Sequence, residues 1–332
     1  MHVLSLLENW LSSNHVIAHK ARLRAVLKPV RALLDGAKLS LTHLGRSRHG
    51  QAFVKHHIKS IDRLLGNTSL RAERTAIYAH MAQSLLSASS SPLILVDWTD
   101  YELERQFLIL KAAVPAGGRA LTIYEEVDPL SHYNNPTVHR NFLAHLKAIL
   151  PDNVIPIMVT DAGFRGPWFK SVEALGWHYI GRVRNLVKYF DEPSQQWVDT
   201  RTLYTKATAR VRHLGRLCLA RSNHYYARLY LVRSKRSGAL GRPKPKRYAN
   251  NDRQYRKLSQ DPWLLVTSLE HCAGAGQRIR NAYATRMQIE ETFRDLKNHR
   301  WGLALRYARS NSRDRSTCDV RTLVTGQCGK NE

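Results

Sequence analysis

Two aspartates and one glutamate carry the chemistry most open to reading in this 332-residue sequence. Asp97 closes the apolar run 93–96, and Asp161 closes the run 155–160. Apolar runs of this length suit buried strands. Polar side chains at strand ends meet solvent where the backbone leaves the core, which is where sites of α/β proteins gather. Two aspartates placed alike can form a metal cage, although each alone also fits a turn-opening aspartate. A third element lies in NAYATRMQIEETFRDLKNHRWG, which carries Tyr283, Arg286, Glu290 and Lys297. Intervals of three, four and seven residues predict one helical stripe on a single helix over 282–297, with Met287 and Phe293 on its buried side. A glutamate flanked by arginine and lysine suits a carboxylate that binds metal beside phosphates. The same Arg286 and Glu290 would also fit an i,i+4 ion pair on a surface helix.

Charge points to the substrate class. Lys and Arg number 52 against 26 Asp and Glu, a net charge of +26 with histidines neutral. In a chain that is 43% hydrophobic, this describes a folded protein drawn to polyanions, since each phosphate neutralised releases counterions. Nucleic acid fits first and an anionic membrane surface second. No apolar run approaches the roughly 20 residues that span a bilayer. The opening MHVLSLLENW also lacks the order of a signal peptide, so the sequence reads as cytoplasmic. Cys218, Cys272, Cys318 and Cys328 are scattered without zinc-type spacing and read as plain thiols.

The elements that must position these residues follow from periodicity. Residues 1–88 are helical in pattern, with Leu4, Leu7 and Leu11 and then Val26, Val30 and Leu33 at helical spacing. Within them, two short helices separated by Gly45 to Gly50 suggest a helix-turn-helix-like unit, its second helix bearing Lys55, Lys59 and Arg63. A basic solvated helix face explains the same residues. From residue 92, PLILVDWTD, QFLILKAAVP and RALTIYEEV read as adjacent strands, followed by a helix in PTVHRNFLAHLKAIL and a fourth strand in VIPIMVTDAGF. That order fits a mixed α/β sheet. A short helix at 166–176 precedes a β-rich stretch, and RSGALGRPKPKRYANNDRQYRK reads as a basic arm or solvated loop.

The Tyr, two residues, Arg, three residues, Glu, six residues, Lys pattern resembles the signature of bacterial DDE transposases of the cut-and-paste insertion-sequence class. LVDWTD and VTDAGF look like the two aspartate segments of that family. The likeness extends over roughly residues 20–310, toward the branch that includes the insertion-sequence transposase of the composite tetracycline-resistance transposon. It implies a ribonuclease-H-like mixed sheet with a β-rich insertion and an N-terminal helical domain. The expected organisation is a DNA-binding domain at 1–88, catalytic segments at 89–165 and 261–315, the remaining sheet with the insertion at 166–260, and a short atypical tail at 316–332.

The resemblance further implies that Asp97, Asp161 and Glu290 hold two Mg2+ ions, with Mn2+ as a substitute, and that Glu291 is a neighbour. Tyr283, Arg286 and Lys297 would contact the transposon end, and Trp263 would stack on a flipped base. DNA is the expected partner, as terminal inverted repeats and target, bound by a DNA-dependent homodimer in the bacterial nucleoid. The implied reaction is nicking, hairpin formation, hairpin opening and strand transfer. Two other readings of the sequence remain: a nuclease on the same fold, and a non-catalytic DNA-binding derivative. The latter is suggested by STCDVRTLVTGQCGKNE, which lacks the apolar helical region expected after the Glu-bearing helix.

Overall fold

The computed structural model describes residues 2–13, 16–48, 50–100, 107–184, 187–233 and 261–298. The basic stretch 236–257 and the tail 316–332, with Cys318 and Cys328, lie outside them. The fold is mixed α/β, consistent with a ribonuclease-H-like arrangement, and divides into two compact units, Met1–Pro156 with Thr285–Glu332, and Ile157–Ala284.

The first unit begins with helices α1 (His2–Ser13), α2 (Lys20–Leu34), α3 (Leu41–Arg46), α4 (Val54–Leu65) and α5 (Thr68–Leu86). Ser40 caps α3 by accepting the His43 N–H, and Asn67 caps α5 by accepting the Leu70 N–H. Each satisfies a donor that a helix start leaves unpaired. Gly45, expected to separate two helices, instead lies inside α3, where a Cβ would meet the Ile58 backbone at 2.7 Å. The missing side chain lets α3 and α4 cross closely, and residues 47–53 make the connection.

Strands β1 (Leu93–Asp100), β2 (Phe107–Ala116) and β3 (Arg119–Pro129) form an antiparallel meander. Gly117 and Gly118 alone link β2 to β3, both with positive φ (55° and 93°), the geometry that a two-residue hairpin turn favours. A bulge at Ala112/Ala113 shifts the register by one residue. Thr122 and Glu125 are an odd number apart, yet the bulge brings both to the sheet face that carries Lys111.

Helices cover both faces of this meander, so β2 and β3 are buried along most of their length rather than at alternate residues, and Glu125, Glu126 and Asp128 of β3 are buried with the apolar side chains. On one face Tyr124 packs edge-on against Tyr78 of α5 and at a tilt against Phe142 of α6 (Pro136–Ile149), with ring centroids 5.2 and 5.3 Å apart. The other face receives α9 (Met287–Leu296), whose Ile289, Phe293 and Leu296 are buried. Two α9 side chains also satisfy strand-end donors of the hairpin. Gln288 Oε1 accepts the Ala116 N–H at 3.0 Å, and Thr292 Oγ1 accepts the Ala120 N–H at 2.8 Å. Arg119 adds an ion pair to Asp295.

His139 on α6 is 4% exposed, and its Nε2 accepts the Trp98 indole N–H at 3.2 Å. Burial pushes its pKa down from 6.5 to about 4. Between those values the unfolded chain takes up a proton that the folded one refuses, so stability is full above pH 6.5 and falls toward pH 4. The expected loss is on the order of 3 kcal/mol, at about 1.36 kcal/mol per pH unit. Thermal melts at several pH values should show it, and His139→Phe should flatten that part of the profile. An unchanged slope in the variant would refute the assignment.

Among the described residues of the second unit, β4 (Ile157–Thr160) pairs in parallel with β5 (His178–Val183), joined through helix α7 (Gly166–Ala174). Phe169 of α7 stacks on Tyr179 at 4.5 Å. Gly181 makes room for it, since a Cβ there would lie 2.4 Å from the Phe169 ring. The strands β6 (Lys188–Asp191), β7 (Gln196–Asp199), β8 (Arg212–Leu219), β9 (Tyr225–Val232) and β10 (Trp263–Thr267) extend the array antiparallel in the order β5-β10-β9-β8-β6-β7. Helix α8 (Ala275–Ala284) closes the unit.

Candidate active site

Asp97 is not at a strand end. β1 continues three residues beyond it, with Asp97 paired to Lys111 and Asp100 to Leu108. The apolar run marks where burial stops, whereas the hydrogen-bonded ladder goes on through WTD. Asp161 directly follows β4, as its sequence position suggests, although Ile155 at the start of the expected run is 49% exposed and precedes the strand. Both carboxylates are fixed locally. Asp97 Oδ1 accepts the Trp98 N–H at 2.8 Å, and Asp161 Oδ1 accepts the Gly163 N–H at 2.7 Å.

The expected single helix over 282–297 is broken. α8 ends at Ala284 and α9 begins at Met287, where hydrogen bonds tighten to Gln288 N–H with Thr285 O at 2.9 Å and Ile289 N–H with Arg286 O at 3.2 Å. The break coincides with the boundary between the two units. Tyr283, Arg286, Glu290 and Lys297 therefore do not form one continuous stripe. Tyr283 is 4% exposed and packs edge-on against Trp263 at 5.0 Å. Met287, expected on the buried side, is 48% exposed, because Ile289, Thr292, Phe293 and Leu296 set the buried face. Lys297 is the half-buried C-cap of α9.

Arg286 and Glu290 meet Asp97 within the first unit. Arg286 Nη1 donates to Glu290 Oε1 at 2.6 Å and to Asp97 Oδ2 at 3.4 Å. A single guanidinium nitrogen thus joins carboxylates far apart in the sequence. The side chains of Arg286 and Asp97 are 12% and 13% exposed, so this contact is far less screened than a surface pair. Glu291 is engaged separately, in an ion pair with Arg294.

The same face carries a buried charge pair that sequence reasoning missed. Asp97, Lys111 and Glu125 occupy one cross-strand row of the meander. Lys111 Nζ lies 2.7 Å from Glu125 Oε2, with the two side chains 1% and 0% exposed, and donates to Thr122 Oγ1 at 3.0 Å. It also sits over the Phe293 ring of α9, 5.7 Å from the centroid. A lysine inside FLILKAAVP was the available signal, because charge in a buried strand needs a partner.

The donor chemistry can be tested against a cation. Asp97 and Glu290 already direct oxygens at one positive group, and oxygen-only carboxylates suit a hard divalent ion. Asp161, within the second unit, is a carboxylate of the same oxygen-donor type. Among the described residues no three His, Cys, Asp or Glu side chains are gathered as a metal cage.

Elsewhere, Lys55, Lys59 and Arg63 recur every fourth residue along the exposed side of α4, opposite buried His57, Ile61 and Leu65. Phe53, just before the helix, is 75% exposed beneath the Lys55 ammonium. Among the described residues no helix is long and apolar enough to cross a membrane.

A comparison with curated proteins finds no match. Residues 89–318 match the family model described as the Transposase DDE domain, a span that contains Asp97, Asp161, the Lys111–Glu125 pair and the Glu-bearing helix. The chain belongs to the DDE transposase family, whose chemistry is phosphoryl transfer on DNA.

Proposed function

We propose that this protein is the transposase of a bacterial insertion sequence that cuts its transposon ends free and joins them to target DNA. The observation that carries the reading is the convergence of Asp97 and Glu290 on one cationic group, inside a domain of the DDE family. The finer likeness, to the insertion-sequence transposase of the composite tetracycline-resistance transposon, rests on the Tyr283, Arg286, Glu290, Lys297 spacing. It supports a cut-and-paste route through a hairpin.

Asp97, Asp161 and Glu290 are the proposed ligands of two Mg2+ ions, which Mn2+ would replace. Held by these carboxylates, such ions would supply activation of a water or 3′ hydroxyl and charge stabilisation at the leaving oxygen. The chain's own contribution is placement. The Trp98 and Gly163 N–H groups each fix one oxygen of an aspartate, which sets the orientation of the carboxylate. Arg286 and Lys297 would bind backbone phosphates, and Tyr283 would support Trp263, whose aromatic face suits stacking on a flipped base.

Residues 1–88 would bind the terminal inverted repeats, with Lys55, Lys59 and Arg63 on phosphates, and 89–165, 166–260 and 261–315 would build the catalytic domain and its insertion. Pairing of two protomers on DNA and action at the nucleoid complete the proposal.

Incubating the protein with Mg2+, a transposon-end duplex and a circular target tests it. A denaturing gel should resolve nicks, hairpins and products joined to target. Hydrolysis without joining identifies a nuclease, and binding without cleavage identifies a non-catalytic derivative.

A further inference from the structure

Arg286 occupies the place where a metal would have to bind. Its Nη1 is 2.6 Å from Glu290 Oε1 and 3.4 Å from Asp97 Oδ2, with Arg286 and Asp97 both nearly buried. A divalent ion such as Mg2+ approaches its oxygen ligands at about 2.0 to 2.1 Å. The same two oxygens cannot accept that ion while the guanidinium lies between them.

We infer that Arg286 is a built-in counter-ion that holds the free protein in a low-affinity state for divalent metal, and that metal loading requires it to swing away to a DNA phosphate. This inference rests on Asp97 and Glu290 being metal ligands, and adds to that reading how their loading is controlled. Without a counter-charge the two carboxylates would repel each other, so the ion pair also keeps Glu290 oriented toward β1 until the ion arrives. Once displaced, the guanidinium has only donors and needs a new anion. A phosphodiester supplies one, so DNA and metal each make binding of the other more favourable. Thermodynamic linkage requires that coupling to be reciprocal.

The test is a Mn2+ titration of the full-length protein, followed by calorimetry and by the electron paramagnetic resonance signal of free Mn2+, with and without a transposon-end duplex. Arg286→Ala and Arg286→Gln are expected to bind Mn2+ about tenfold more tightly than wild type without DNA, within the usual range of such couplings. The duplex should tighten Mn2+ binding by wild type and leave both variants nearly unchanged. The glutamine variant keeps more of the side-chain volume than alanine and an N–H donor without the charge, so agreement between the two separates loss of charge from loss of packing. Equal or weaker Mn2+ binding by both variants overturns the counter-ion role, and if Asp97→Asn still weakens binding, the ligand assignment survives. Tight binding that persists when Asp97→Asn is added to Arg286→Gln places the ion elsewhere and overturns both.

Discussion

Asp97→Asn, Asp161→Asn and Glu290→Gln are each expected to lower the rate of transposon-end cleavage by at least about a thousandfold, while changing affinity for the same duplex by less than about threefold. A thousandfold loss corresponds to about 4 kcal/mol of transition-state stabilisation. That is the scale expected when a metal that activates the nucleophile and steadies the leaving oxygen loses a charged ligand. Binding should persist because most of the affinity comes from phosphate contacts spread over a surface of net charge +26, from which one neutralised carboxylate subtracts nothing.

Glu291→Gln is the internal control. Its carboxylate is committed to Arg294, one turn along α9 and apart from the Asp97–Arg286–Glu290 contact, so its rate should stay within a few-fold of wild type. Single-turnover cleavage on denaturing gels, beside mobility-shift titrations, measures both quantities. Comparable losses for Glu291 and Glu290 would sink the ligand assignment, as would active variants of all three carboxylates.

Much of the scaffold was legible because its signals are local. The strands β1 and β2 open on runs of β-branched and aliphatic residues, and paired glycines mark the β2–β3 turn. The helix α6 opens with Asn135 and Pro136, the cap and first-turn residues that helix starts favour. The relation of Arg286 to Glu290 followed from helical spacing alone.

Other features depended on partners that spacing cannot reveal. The break between α8 and α9 falls at Ala284, Thr285, Arg286 and Met287, where neither glycine nor proline punctuates the sequence. Which side of α9 is buried was misjudged at Met287, because the meander beneath selects Ile289, Thr292 and Phe293. Asp97 looked like a strand end because hydrophobicity stopped there, although cross-strand pairing with β2 did not. Lys111 was passed over because its partner, Glu125, is brought alongside only by the hairpin and its bulge.

Lys111→Met is expected to destabilise the first unit by about 3 to 5 kcal/mol, the usual cost of removing one member of a buried ion pair. Methionine fills a similar volume, so little of that loss should come from a cavity. The damage comes from Glu125, a carboxylate with no exposure that loses the ammonium 2.7 Å away. In the variant its charged form is penalised by burial, which raises its folded pKa above the unfolded value of about 4.3. For an acid shifted upward, stability is lost as pH rises through the folded pKa, so the deficit should be largest at neutral pH and shrink toward pH 4. Chemical denaturation at pH 7 and pH 5 measures the difference, and adding Glu125→Gln to Lys111→Met should restore most of the stability at pH 7. Because Asp97 shares the row and α9 packs over Lys111 through Phe293, the single variant should also weaken Mn2+ binding, and the double variant should recover it. A single variant as stable as wild type at pH 7 would show that the pair contributes no more than an apolar contact. Stability restored in the double variant without restored Mn2+ binding would show that the lysine acts directly on Asp97 rather than through the packing of α9.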